Sequence, residues 1–121
     1  MAISHNLTEG LSNTFEFSGE IDGKVHTYKA VYPSAKQLRP IQTGYARIQE
    51  IDKEYAKLSD DDKEAKKKLE KEVKKVTEEI TKCFEDLFTP QGDSMPIADF
   101  LDVLPVPARK NFDKMIQAEM F

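Results

Sequence analysis

A chain of 121 residues is the length of one domain, and 39% apolar residues are enough for a core even beside 33% charged. No run approaches the roughly 20 apolar residues of a membrane span, and the opening MAISHNLTEG lacks the basic-then-apolar order of a signal peptide. A net charge of -4, from 18 basic and 22 acidic residues, gives weak electrostatic grounds for binding nucleic acid. The single cysteine, Cys83, excludes an internal disulfide and a Cys-based zinc site, so a cytosolic chain is expected.

Met1 to Asn13 has no clear periodicity and could be a loose arm or an extra edge strand. The runs TFEFSGEI and KVHTYKAVY then flank Asp22-Gly23. An Asp-Gly pair between β-favouring runs predicts a hairpin over 14–32, because a type I′ turn needs positive φ at both central residues. A two-residue loop pairs Ile21 with Lys24, Phe17 with Tyr28 and Phe15 with Ala30. One face then carries Phe15, Phe17, Tyr28, Ala30 and Tyr32, while Val25 and Val31 are exceptions on the polar face. A lone hairpin is marginal, so helix must cover the aromatic side.

Residues 34–88 read as a helical hairpin. Ser34 is a candidate N-cap after Pro33, and Leu38, Ile41, Tyr45, Ile48, Ile51, Tyr55 and Leu58 recur at spacings of three or four. Pro40 and Gly44 conflict with an unbroken helix, which predicts a short turn before Pro40 or a kink there. Ser59 and Asp60-Asp61-Asp62 supply a cap and first-turn carboxylates for the second helix. Its seam is Leu69, Val73, Val76, Ile80, Cys83 and Leu87, a heptad pattern broadened late by Phe84 and Phe88. Eight acidic and eight basic residues lie between Asp60 and Lys82, with Glu64–Lys68, Glu70–Lys74 and Glu78–Lys82 in favourable i, i+4 order. The first half of this helix is nearly all polar and should project from the body.

Thr89 to Ser94 reads as a loop, and 94–121 as two C-terminal helices broken at Pro105-Val106-Pro107. Ser94 starts the first of them, with Ile97, Phe100, Leu101 and Leu104 on its apolar side. The second carries Phe112, Met115, Ile116 and Met120. The whole is one α+β domain, mainly α, without internal repeats.

The chain presents no catalytic, cofactor or metal constellation. His5 and His26 have no ligand-like neighbours, and consecutive aspartates on a helix point in different directions. Cys83 sits in the apolar seam as a small hydrophobe. The chain is therefore not expected to be an enzyme. Two apolar sets exceed the evident needs of a core: Phe84, Leu87 and Phe88, and Phe112, Met115, Ile116 and Met120. Each is either internal packing or a docking face for a partner helix.

The opening TFEFSGEIDGKVHTYKAVYPSAKQLRPIQ resembles the start of tail assembly chaperones from long-tailed, siphovirus-type bacteriophages. The residues that carry the likeness are Phe15, Phe17, Asp22, Gly23, Lys24, Tyr28, Tyr32, Pro33, Ser34, Leu38 and Arg39. The closing DFLDVLPVPARKNFDKMIQAEMF is similar to the family's short helix, proline break and final helix. The resemblance implies a non-enzymatic oligomeric protein of the host cytoplasm that coats the phage tape measure protein before the tail tube polymerises. It leaves the tail tube protein as a further candidate partner. It also implies a frameshifted longer form and absence from the finished virion. A reading of another class is a small structural adaptor that dimerises through the Leu69–Leu87 seam as a coiled coil.

Overall fold

A computed structural model of the chain describes residues 4–8 and 10–121. The hairpin strands β1 (Thr14–Ile21) and β2 (Lys24–Val31) lead into the long helices α1 (Ala35–Ala56) and α2 (Lys63–Leu87). A short strand β3 (Phe88–Gln91) follows, then α3 (Ile97–Val103) and α4 (Val106–Met120). The fold is α+β and mainly α, as the hydrophobic patterns predict.

The hairpin has the expected register, with Ile21 opposite Lys24, Phe17 opposite Tyr28 and Phe15 opposite Ala30. Asp22 at φ 50° and Gly23 at φ 80° supply the two positive φ values of the type I′ turn. Tyr28 and Ala30 are fully buried, and Phe17 stacks on Tyr28 at 5.3 Å while meeting Phe112 of α4 edge-on at 5.7 Å. Tyr32 lies past the strand end and is partly exposed. Its ring packs on Phe15 at 5.0 Å and its hydroxyl donates to Glu119 at 2.8 Å. Val25 and Val31 face solvent.

The sheet has three strands in the order β1-β2-β3, and the third corrects the loop expected at 89–94. β3 pairs antiparallel with β2, placing Thr89 opposite Lys29, Pro90 opposite Tyr28 and Gln91 opposite Thr27. Tyr28 is committed through its backbone to Phe17 on the other side, so the donor that Pro90 lacks is not needed. An edge strand tolerates proline in that position. Ser94 does not start α3. Its hydroxyl accepts from the Thr27 backbone N–H at 2.8 Å, and Pro96 stands at the helix N-cap instead. In the N-terminal arm, Leu11 N–H bonds Thr8 C=O in a turn, so the described part adds no strand. Met1 to Ile3 and Glu9 lie outside the described residues.

Ser34 caps α1 in a capping box: its hydroxyl accepts from Gln37 N–H and the Gln37 side chain accepts from Ser34 N–H. The helix runs through Pro40 without the expected break. Pro40 sits early in the helix, where one carbonyl, that of Lys36, loses its donor while the remaining ladder continues. The second helix starts later than predicted. Ser59 to Asp62 form the connecting turn, in which the Asp62 carboxylate accepts from the N–H and hydroxyl of Ser59. The only first-turn acid of α2 is Glu64. The three expected i, i+4 pairs are not formed. Arg47 of α1 instead clasps Glu72 of α2 through two bonds of 2.7 and 2.9 Å, and Lys66 reaches Asp60. An exposed i, i+4 pair contributes only a few tenths of a kcal/mol, too little to dictate side-chain placement.

The antiparallel helices approach closely at Gly44. A methyl there would lie 2.6 Å from both Cδ1 and Cγ1 of Ile80, so only glycine admits this approach. Ile51 and Ile80 are buried, while Ile48, Leu69, Val73 and Val76 are half-buried. Tyr55, expected inside, is 38% exposed because its hydroxyl donates to Glu70 and Lys66 lies over its ring. One buried cluster links β2, β3 and all four helices, from Tyr28 and Ile41 through Phe84 and Phe100 to Ile116.

Gly23→Val should lower stability by about 1 kcal/mol or more, since a β-branched residue is strained at positive φ. A thermal melt compares the two chains. Gly44→Ala should destabilise the wild type by overpacking against Ile80, typically by about 1–3 kcal/mol. In an Ile80→Ala background the same change should become stabilising, because the clash is gone and alanine is the better helix former by about 1 kcal/mol. Chemical denaturation of the double-mutant cycle measures that reversal of sign.

Candidate docking surfaces

The residues that the sequence offers for partner binding lie mostly inside. Phe84, Leu87 and Phe88 are 0–3% exposed, and Phe112, Ile116 and Met120 are 0–7% exposed. Both sets belong to the same core cluster, against which the half-buried Met115 packs. This corrects the docking alternative: in the folded chain these stripes bind each other. β3 accounts for the apparent surplus. It turns Phe88 inward, where it stacks on Phe84 at 5.0 Å and meets Phe17 at 5.1 Å. Met115 and an edge of Phe112 line a surface recess of about 290 Å³, shared with Phe17, Phe100 and Leu104.

The polar interior is closed. His26 is 3% exposed, and its Nδ1 accepts from Met95 N–H at 3.1 Å, which leaves the proton on Nε2. Tyr28 donates to the Met95 carbonyl at 2.7 Å, and Tyr45 donates to Asp113 at 2.7 Å. Among the described residues no buried side-chain nitrogen or oxygen lacks a partner, and no group of three or more His, Cys, Asp or Glu could hold a metal ion. Burial pushes the Cys83 thiol up, with Asp86 and Glu79 adding to the shift, so the sulfur stays protonated at neutral pH. No helix among the described residues is long and apolar enough to cross a membrane.

Among the surface recesses, one with a largely apolar lining is a groove between α1 and α2 of about 510 Å³. Gly44, Val76, Ile80 and Cys83 form its floor, with Pro40 beside them, and Lys36, Arg39, Arg47 and Glu79 stand around it. Arg47 is already engaged. Glu72 bonds it directly and Glu50 and Glu54 lie at 3.1 and 3.5 Å, which raises the guanidinium pKa and lowers that of Glu72. Lys36 and Arg39 form no ion pair among the described residues. Periodicity does not reveal this groove, because it marks only apolar stripes. The signal lies in the residues that break the stripe: Pro40 and Gly44, poor helix formers that both line it.

No family model, curated protein or solved structure matches the chain.

The buried tyrosines make stability depend on alkaline pH. Burial, helped by Asp99, pushes the Tyr28 hydroxyl up to about 12 from an ordinary value near 10. Burial and Asp113 also raise Tyr45. A folded-state pKa above the unfolded one means that the contribution is complete below about pH 10. It is lost as pH rises through about 12. Urea midpoints measured from pH 9 to 12 should therefore fall across that window, and Tyr28→Phe should flatten the fall.

Proposed function

We propose that this chain is a non-enzymatic tail assembly chaperone of the long-tailed phage type, which binds the tape measure protein in the host cytoplasm before the tail tube polymerises. The observation that carries the reading is the way the eleven resembling residues work together. Asp22 and Gly23 make the turn, while Phe15, Phe17, Tyr28 and Tyr32 form the aromatic side of the hairpin. Lys24 reaches Asp93 at 3.1 Å, tying the hairpin tip to the segment between β3 and α3. Pro33 ends the hairpin, Ser34 caps α1 and Leu38 packs on the core. Arg39 is exposed and lines the groove between α1 and α2. The other ten residues thus build the turn, the aromatic face, the tie to Asp93 and the cap, while Arg39 makes none of these contacts, an arrangement suited to presenting α1 to a client.

The adaptor reading has less surface to draw on. Ile80 and Leu87 of the Leu69–Leu87 seam are buried within the chain and Val76 and Ile80 lie against Gly44, while Leu69, Val73, Val76 and Cys83 are half-buried. Self-association and contact with the tail tube protein belong to the chaperone reading as coating functions.

Co-expression with a phage tape measure protein tests the proposal. The client should be soluble and co-purify with this chain, and should aggregate without it. A client equally soluble with and without the chain, and never associated with it, would overturn the reading.

A further inference from the structure

We infer that the α1–α2 groove docks an amphipathic helix of a partner protein, one that carries carboxylates beside its apolar stripe. The inference rests on the client-binding function proposed above and names the chemistry of the segment bound.

Three observations converge on the groove. Its floor is apolar where Ile80 packs against Gly44, with the half-buried Val76 and Cys83 accessible on either side of Ile80. Its rim is cationic at the Lys36 and Arg39 end, in a chain that is acidic overall, whereas Arg47 at the other end is held by Glu50, Glu54 and Glu72. Lys36 and Arg39 are exposed and lack an ion-pair partner among the described residues, and Glu79 is the one acid in the lining. Pro40 adds an apolar ring to the lining next to those two cations. An incoming helix with apolar anchors at three- and four-residue spacing fits the floor. Glutamates or aspartates next to those anchors would meet Lys36 and Arg39, and complementary charge sets both the encounter rate and the choice of partner. A lysine-flanked helix would meet two like charges instead.

Two synthetic peptides with the same leucine stripe, one flanked by glutamate and the other by lysine, provide the probes. Cys83, the single cysteine, reports occupancy of the groove through its rate of maleimide alkylation in the full chain. The glutamate peptide should bind about tenfold more tightly than the lysine peptide at low salt and should slow alkylation. Lys36→Glu with Arg39→Glu should reverse the preference, a gain of binding that an unfolded chain could not give. No binding by either peptide, equal binding by both, no slowing of alkylation, or an unchanged preference in the double variant would each overturn the inference. Co-expression separates it from the chaperone reading. A tape measure protein solubilised equally by the wild type and the double variant would overturn the groove and leave the chaperone standing. A peptide preference that reverses while no client is solubilised would do the opposite.

Discussion

Four phenylalanines from four elements meet at the centre of the fold: Phe17 of β1, Phe84 of α2, Phe88 of β3 and Phe112 of α4. Their ring centroids lie 5.0–6.3 Å apart, four of the five contacts being edge-on and one stacked. Aromatic pairs in these geometries are worth about 0.5–1.5 kcal/mol each beyond the area they bury. None of these four elements could be removed without opening this cluster, which is why a hairpin that is marginal alone is secure here. The same cluster sets where α2 must stop. Phe84 belongs to the last turn of the helix and Phe88 to the strand, so the chain changes from helical to extended between two rings that stack.

That change of conformation is also where reading the sequence fails. The hairpin was legible to the residue because Asp22-Gly23 pins the turn and alternation pins the face. β3 was not. It is four residues long, contains Pro90 and precedes a glycine, so local propensity argues for a loop. Its cause is non-local. Thr27 and Lys29 turn backbone groups away from β1, and buried or half-buried groups of that kind need partners. β3 supplies them, and Ser94 takes the Thr27 N–H. Once β3 exists, Phe88 must point inward and α4 must cover it. The apolar surplus that suggested a docking face therefore follows from overlooking one strand.

Pro40 and Gly44 fail in the opposite sense. Helix propensity reads both as faults in α1, yet the helix is continuous. An early proline removes one bond from a ladder of many, and packing outweighs it. Gly44 loses about 1 kcal/mol of helix propensity. In exchange α2 comes close enough for Ile80 to be 3% exposed. Where a residue opposes its local structure, the reason here is tertiary contact, as Gly44 shows against Ile80. The acidic run at 60–62 shows a milder form of the same limit. Its charges suit a helix start, but the Asp62 side chain bonds Ser59 and thereby belongs to the turn.

The fold's internal use of its apolar stripes bears on how a client could be held. Because the large aromatic side chains are committed to the core, the groove offers mainly Val76, Cys83 and the edge of Ile80. At about 25 cal/mol per Å², covering the little apolar surface these side chains expose contributes only about 2 kcal/mol. Association itself costs roughly 4–15 kcal/mol in lost freedom of motion. Two exposed cations add on the order of 1 kcal/mol each and are screened by salt. One copy would thus bind one helix weakly and release it readily. Weak single contacts become effective when several copies line a long client and touch one another, since each bound copy raises the effective concentration for the next. A protein that must cover a long helical client and then leave it has use for that balance. On the function proposed above, a deep groove lined by Phe84 or Phe112 would hold a client more firmly than a coat that must later be shed requires.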